Sequence, residues 1–254
     1  MNGITTSKDL TKNTAEFINY KKKTDISNMF DNIAADYDLI NHLTTLGIDK
    51  KWRVVAVNET GNIKNKKVID LATGTGDIAI RLSKKNPEKI TAIDISEKML
   101  HYAKQKVKEL NLNNKIEFIQ ADSENLPFSD NSFDIATMGF GIRNCIYPEK
   151  ALSEIYRVLK PKGKLVILEF SEPTRTPGHF LIRFYLKNLV PILGRTISHN
   201  KFAYNYLPKS INSFPAGKEF LNLMANAKFH NLSYKVMTLG LVSIYSGYKQ
   251  NSTE

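Results

Sequence analysis

Lys67-Val-Ile-Asp70-Leu-Ala-Thr73-Gly74-Thr75-Gly76-Asp77-Ile-Ala79 is the stretch that decides the fold of this chain. A β-branched run ends at Asp70, two glycines turn the chain, and helical spacing resumes through Ile78 and Leu82. Strand, glycine turn and helix in that order open a nucleotide-binding α/β unit. Glycine at the turn lets a ligand approach backbone that no Cβ shields. Asp94 lies 18 residues beyond Gly76, at the end of the apolar run Ile90-Thr-Ala-Ile-Asp94. A carboxylate so placed can accept both hydroxyls of a ribose. Asp70, Gly74, Thr75, Gly76 and Asp94 together read as a pocket for an adenosine-containing cofactor.

Gly74-x-Gly76-x-x-Ala79 also fits the dinucleotide fingerprint in its G/A form, so NAD is weighed against S-adenosylmethionine. Two features favour the methyl donor. Asp70 and Asp77 flank the turn, and carboxylates there suit an ammonium and a sulfonium but repel a pyrophosphate. A further acid, Asp122, follows the next apolar run Ile116-Glu-Phe-Ile-Gln120. The alternative is that Asp70 and Asp77 are only turn and N-cap residues.

The remaining pattern extends this unit into a domain. Strands are expected at 66–71, 89–94, 115–120, 133–139 and 163–170, with helices at 77–86, 96–110 and 148–159 between them. A late helix at 214–228 and closing strands at 230–237 and 241–249 follow. Strands alternating with helices of this length predict a seven-stranded, mostly parallel sheet with helices on both faces. Right-handed crossovers put the strand carboxyl ends on one rim, which collects Asp70, Asp94, Asp122, Gly139 and Glu169. Upstream, Ile26-x-x-Met29-Phe30-x-x-Ile33-Ala34 has helical spacing that continues through Tyr37, Ile40 and Leu43. A second helix is marked by Trp52, Val55 and Ala56, and Phe30 and Trp52 are expected to pack against the sheet. The organisation is therefore a basic flexible arm over 1–24, a helical cap over 25–60 and an α/β domain over 61–254.

Charge is unevenly spread. The net charge is +11, yet residues 25–170 carry 21 bases against 20 acids. The excess sits in the arm and in residues 171–212, where six bases face Glu172 alone. That late segment, an insertion at about 174–212, is also apolar and aromatic: Phe180-Leu-Ile182, Phe184-Tyr-Leu186, Leu189-Val-Pro-Ile-Leu193. It reads either as an element lying on an anionic membrane surface or as a buried helical pair. The chain's one cysteine, Cys145, excludes an internal disulfide and fits a reducing compartment, the cytoplasm, with peripheral contact at the inner face of the membrane. No metal-ligand spacing occurs, no run is long enough to span a bilayer, and the amino terminus lacks the apolar core of a signal peptide.

Several further stretches resemble one family. Phe30-Asp-x-Ile-Ala-x-x-Tyr37-Asp38-x-x-Asn41 with Leu46-Gly47-x-x-x-x-Trp52-Arg53, and Gly139-Phe-Gly141-Ile-Arg143-Asn144, are similar to the two signatures of the ubiquinone/menaquinone biosynthesis C-methyltransferases. Tyr156-Arg157-Val-Leu-Lys-Pro161-x-Gly163, Leu168-Glu-Phe-Ser171 and Tyr204-x-Tyr206-Leu207-x-x-Ser210-Ile211 follow in the expected order. The resemblance implies a class I S-adenosylmethionine-dependent methyltransferase with a Rossmann-like sheet. It also implies methyl transfer to a ring carbon of a prenylated quinol, with cofactor positions at Thr75, Asp94 and the pair Asp122-Ser123. The chain departs from the pattern at Asp49, where the family often has histidine, and at Asp122-Ser123, where it often has Asn-Ala. It departs again at Lys162, which breaks a double glycine, and at Tyr245, where histidine is common.

For the acceptor, Arg143 with Tyr37 and Asn144 forms the expected quinol-handling group. Arg143 stays protonated, so it stabilises a developing phenolate and removes no proton. The alternative is an arginine pairing with a cleft acid such as Asp94. His179 and His199 are candidate bases, and Cys145 reads as core. Rival readings are a nucleic-acid methyltransferase, an NAD-dependent oxidoreductase and a lipid-binding module. The first is disfavoured because the positive charge avoids the cofactor domain, so no nucleic acid is expected as a partner. The sequence leaves open whether the chain forms a homodimer. If the insertion covers a long-tailed acceptor, truncating Phe180, Leu181 and Phe184 lowers turnover of long-chain acceptors before short ones; equal losses in paired assays make the segment purely structural.

Overall fold

The cofactor-type turn at residues 71–76 sits at the centre of one sheet in a computed structural model, which describes residues 23–171 and 201–251. The strands are β1 (Lys67–Leu71), β2 (Lys89–Asp94), β3 (Ile116–Gln120), β4 (Phe133–Gly139), β5 (Leu159–Phe170), β6 (Phe229–Met237) and β7 (Val242–Lys249), and they lie in the order β3-β2-β1-β4-β5-β7-β6. Every pairing is parallel except those of β7, which runs antiparallel to both β5 and β6. The order reverses between β1 and β4, and ligands of open α/β sheets sit at that reversal, beyond the strand carboxyl ends.

Burial explains why the central strands read as unbroken apolar runs. Val68 to Leu71 and Ile90 to Asp94 are buried at every position, because helices cover both faces of a parallel sheet. Between the strands lie α4 (Asp77–Ser83), α5 (Glu97–Glu109) and α6 (Pro148–Val158). The last of these buries Ala151, Leu152, Ile155 and Val158 at helical spacing against the β4–β5 half of the sheet.

Among the described residues three helices precede the sheet: α1 (Lys23–Ile33), α2 (Tyr37–Thr44) and α3 (Asp49–Glu59). The helical spacing that seemed to run on through Leu43 is broken, since the Asp36 amide closes a turn on the Ile33 carbonyl at 3.1 Å. The break turns the apolar stripe so that Met29, Ile33, Ala34 and Ile40 bury together against Met99 and Tyr206. A polar clasp fixes α1: the Ser96 hydroxyl at the head of α5 donates to Asp31 at 2.5 Å and accepts from the Met99 amide. Trp52 lies, as expected, against sheet residues Val166, Leu168, Val242 and Ile244, and its Nε1–H donates to Thr238 at 2.8 Å. After the sheet's fifth strand come α7 (Lys201–Ser213) and α8 (Lys218–Asn226). At its carboxyl-terminal end α7 turns Tyr206, Ser210 and Ile211 inward. Residues 1–22 of the expected arm and 174–200 of the expected insertion, with His179, Phe180, Leu181, Phe184 and His199, lie outside the described residues, whereas Lys23 and Thr24 belong to α1.

β5 starts four residues earlier than its apolar pattern, at Leu159 rather than at 163, because a bulge intervenes: Phe133 pairs with Leu159 but Ile135 pairs with Lys164. Lys162 enters the bulge at φ +64, the left-handed conformation that a glycine would adopt without strain. At Gly163 a Cβ would stand 2.7 Å from the Lys160 carbonyl oxygen. Two opposite outcomes follow in urea unfolding. Lys162→Gly raises stability by up to about 1 kcal/mol, whereas Gly163→Ala lowers it by about 1–3 kcal/mol.

Candidate active site

At the reversal point the chain leaves β1 through Ala72, at φ +47, and Gly74, at φ +57. One acid secures this turn from below. Asp70 is wholly buried; Thr73 donates to one of its carboxylate oxygens at 2.7 Å and Thr137 of β4 to the other at 2.6 Å. Burial pushes its carboxyl up to about 6, against the pull of these hydrogen bonds. Asp94, at the end of β2, reaches back above the turn. It accepts from the Gly74 amide at 2.8 Å and from the Ser96 amide at 2.9 Å, and burial raises it to about 6 as well.

Two cavities open above the rim. The first encloses about 700 Å³ of empty space with its mouth included; Gly74, Asp94, Met99, Asp122, Ser123 and Asn144 stand in its wall. The second, of about 800 Å³, lies between α1, α2 and α3 and is walled by Met29, Ile33, Ile40, Trp52, Phe170 and Tyr206 among apolar and aromatic groups. Phe30, Tyr37 and Phe140 belong to both walls, so the cavities meet across these three rings. Phe140 holds its place at φ +58, a strained conformation for an aromatic residue, with its amide bonded to the Leu168 carbonyl at 2.7 Å. Phe30, expected to pack against the sheet, instead lines both cavities.

The expected site residues divide between these cavities and the layer beneath them. Gly74, Asp94, Asp122, Ser123, Tyr37 and Asn144 line the first cavity. Asp70, Thr75 and Gly76 line neither. Asp70 ties the turn as described, and the Thr75 hydroxyl donates to Asp38 of α2 at 2.6 Å. Gly76, at φ +85, lets α4 approach α5, where a Cβ would come within 3.3 Å of Ala103. Asp77 is likewise turned away, into an ion pair with Lys106 at 2.7 Å, and its carboxyl lies below the ordinary range; Lys106 and Arg53 outweigh its burial.

Arg143 lines the second cavity, and its acid is Glu169 rather than Asp94. Its Nη1 donates to Glu169 at 2.7 Å and to the Phe140 carbonyl at 2.8 Å, and its guanidinium lies over the Phe170 ring. Glu169 is completely buried on β5, 26 positions away in sequence. Asn144, in the wall of the first cavity, bonds to two residues of the second: its Nδ2 donates to the Phe140 carbonyl, and its Oδ1 accepts from the Tyr206 hydroxyl at 3.1 Å. Burial raises the Tyr37 hydroxyl above its ordinary value, and the Arg53 and Arg143 cations oppose that rise. Cys145 packs on the main core and also borders the first cavity.

Sequence reasoning missed three members. Glu124 is buried beside the first cavity and accepts from the Ile146 amide at 2.7 Å. Arg53 and Asp49 form a buried pair on α3 that faces the second cavity. The signal was present in the signature around Trp52-Arg53, where Asp49 stands at a departure from the family pattern.

The residues at the first cavity fit an adenosine-containing cation. Gly74 leaves open space where a side chain would stand, the nearest atom to its would-be Cβ being Tyr37 Cε1 at 3.9 Å. The adjoining acids Asp94, Asp122 and Glu124 give the wall negative character. A parallel sheet in this order with β7 reversed, and this cavity at its reversal point, define the class I S-adenosylmethionine-dependent methyltransferases. Solved structures share the fold. A SAM-dependent methyltransferase from Thermotoga maritima matches with a TM-score of 0.64 at 22% identity, covering 89% of this chain and 100% of that one. Phosphoethanolamine N-methyltransferase 2 of Haemonchus contortus, solved in complex with S-adenosyl-L-methionine, matches with a TM-score of 0.61 at 14% identity, over 78% of this chain and 52% of that one.

Within that class, the chain belongs to the ubiE/COQ5 methyltransferase family, whose model matches residues 18–249. A demethylmenaquinone methyltransferase of Bacteroides fragilis is 41% identical over 230 residues, which cover 90% of this chain and 94% of that protein. The ubiquinone/menaquinone biosynthesis C-methyltransferase UbiE of Rickettsia prowazekii is 43% identical over 234 residues, with the same coverage of 90% and 94%. Membership carries the family's reaction class, S-adenosylmethionine-dependent C-methylation in quinone biosynthesis.

Asp70 yields a pH prediction. Its proton is held more tightly in the folded chain than in the unfolded one, so its contribution to stability is full below about pH 4 and is lost as pH rises through about 6. Asp70→Asn cannot ionise and removes that loss. Urea unfolding of both proteins across this range gives a stability difference that shifts in favour of the variant by up to about 2–3 kcal/mol. A difference independent of pH contradicts the assignment.

Proposed function

We propose that this enzyme methylates a ring carbon of a prenylated quinol, a demethylmenaquinol or a 2-methoxy-6-polyprenyl-benzoquinol, held in the second cavity. The observation that carries this reading is the cavity itself: largely apolar, furnished with the buried cation Arg143, and joined to the cofactor cavity across Phe30, Tyr37 and Phe140. The names of the Bacteroides and Rickettsia relatives support a quinone-type ring.

In the first cavity Asp94 takes the ribose hydroxyls, Asp122 and Ser123 the adenine end, and the Gly74 backbone the close approach. Bound there, S-adenosylmethionine supplies a methyl group on a sulfonium, open to in-line displacement by carbon. The protein's own work is orientation, charge and exclusion of water. Arg143, fixed by Glu169, stabilises the phenolate that makes the ortho ring carbon nucleophilic. Asn144 and Tyr37, at the junction, set the ring's approach; alignment can supply up to about 7–11 kcal/mol. Helices α1, α2 and α7 close the cavity against water.

The tail and its source fit a membrane surface. Around the α2–α3 turn Leu39, Leu43, Leu46, Ile48 and Val54 are exposed, Leu46 at 81% and at φ +51, beside exposed Lys50 and Lys51. Among the described residues no helix is long and apolar enough to cross a membrane. Apolar tips flanked by lysines suit peripheral contact with an anionic bilayer that carries the acceptor.

Transfer of labelled methyl from S-adenosylmethionine to prenylated naphthoquinol and benzoquinol, assayed side by side, tests the reading. Label appears in at least one ring, and Arg143→Ala lowers kcat by about 10²-fold or more while cofactor affinity, by calorimetry, changes less than about threefold. Unlabelled rings, or an unaltered kcat in the variant, count against it.

A further inference from the structure

The second cavity holds another buried cation besides Arg143. Arg53, on α3, is 6% exposed and stands in the cavity wall, its guanidinium 5.5 Å above the Phe140 ring. Its Nη1 donates to Asp49, one helical turn earlier, and its Nε lies 3.6 Å from Asp77. Among the described residues its Nη2 donates to none. Asp49 is itself fixed: the Thr45 hydroxyl donates to it at 2.8 Å, and His42 Nδ1 lies 2.9 Å from its other oxygen. Burying a second arginine in an apolar chamber is costly unless it is paired. Here the pairing leaves part of the donor fork unspent.

We propose that Arg53 is a second acceptor-binding residue: it receives the ring oxygen para to the one that Arg143 stabilises, and Asp49 is its positioning residue. The inference rests on the quinol reading. A 1,4-quinol carries oxygens on opposite sides of a flat apolar ring. The chamber matches that chemistry with apolar walls and, among its described residues, two arginines, each held by its own buried acid: Arg143 by Glu169 and Arg53 by Asp49. Both share the chamber wall with Tyr37, one of the residues at the junction where the ring must meet the methyl donor. Arg143 adjoins Asn144 of the cofactor cavity and takes the oxygen next to the methylated carbon. Arg53 takes the far one, so the ring presents one edge to the donor.

Paired acceptors give the test. Prenylated 1,4-naphthoquinol has both oxygens; 3-prenyl-1-naphthol keeps the hydroxyl beside the reacting carbon and lacks the para one. Arg53→Met lowers kcat/KM on the quinol by about 10²-fold but leaves the naphthol within about threefold of its wild-type value, with cofactor affinity unchanged. Arg53→Lys keeps a charge against Asp49 and loses the fork; it shows a smaller loss, again confined to the quinol, and serves if the methionine variant fails to fold. Equal losses on both acceptors, or none on the quinol, overturn the proposal while leaving the quinol reading intact. If the wild-type enzyme methylates no quinol, both fall together.

Discussion

Everything above the sheet depends on a carboxylate that touches no solvent. Asp70 ends β1 where the strand order reverses, and two threonine hydroxyls, one from the turn and one from the neighbouring strand, occupy its oxygens. This bond set couples the glycine turn to the sheet's midline, so the Gly74 backbone and Asp94 stand in fixed relation to β4. An acid is costly at that depth, which is why its carboxyl rises to about 6. What it secures is a turn whose Thr73, Gly74 and Gly76 amides are bonded to Ile93, Asp94 and Thr73, leaving open space at Gly74 where a side chain would stand.

Much of this architecture was legible in the sequence because parallel strands covered on both faces are continuous apolar runs, and amphipathic helices repeat at their own period. Strand β4 and the carboxyl ends of β1, β2 and β3 fall where the pattern puts them. The misses share a cause: they depend on which groups meet across the fold. No local signal says that Arg143 will choose Glu169 over Asp94, since that follows from β5 lying beside β4 in the sheet. Nor does the turn motif say which of its acids and hydroxyls look outward. Thr75, Gly76 and Asp77 lie where the turn enters α4 and face α2 and α5, so Asp38 engages Thr75 and Lys106 engages Asp77 away from the cavity. The early start of β5 escaped because a lysine, not a glycine, occupies the left-handed position of its bulge.

The departures from the family pattern become intelligible in the same terms. Asp49 stands where the resemblance implies a histidine, and a histidine, His42, faces it across the α2–α3 turn. A buried acid there gives Arg53 its partner. Tyr245, at another common histidine position, is buried and receives the Gly217 amide on its hydroxyl at 2.8 Å, tying the start of α8 to β7. Both substitutions are absorbed by hydrogen bonds that the new side chain can complete, as burial of a polar group requires.

The balance of charge in the acceptor chamber bears on how such a site accelerates transfer. Each of the chamber's two guanidiniums is paired with a buried carboxylate, so on the proposed reading a neutral quinol enters beside charges that already have counterions. Salt-bridged arginines offer a neutral hydroxyl little. On the proposed reading they offer much more to an oxygen that gathers negative charge as the ring gives electrons to the methyl group, because their positions are already set by their acids and need little reorganisation. Binding energy is thus held back from the ground state and released where charge develops, which is the condition for raising turnover rather than only tightening affinity. The burial of Glu169 and Asp49 serves that end: it keeps each arginine in one orientation, at a depth where the surrounding apolar wall sharpens the difference between a hydroxyl and a phenolate.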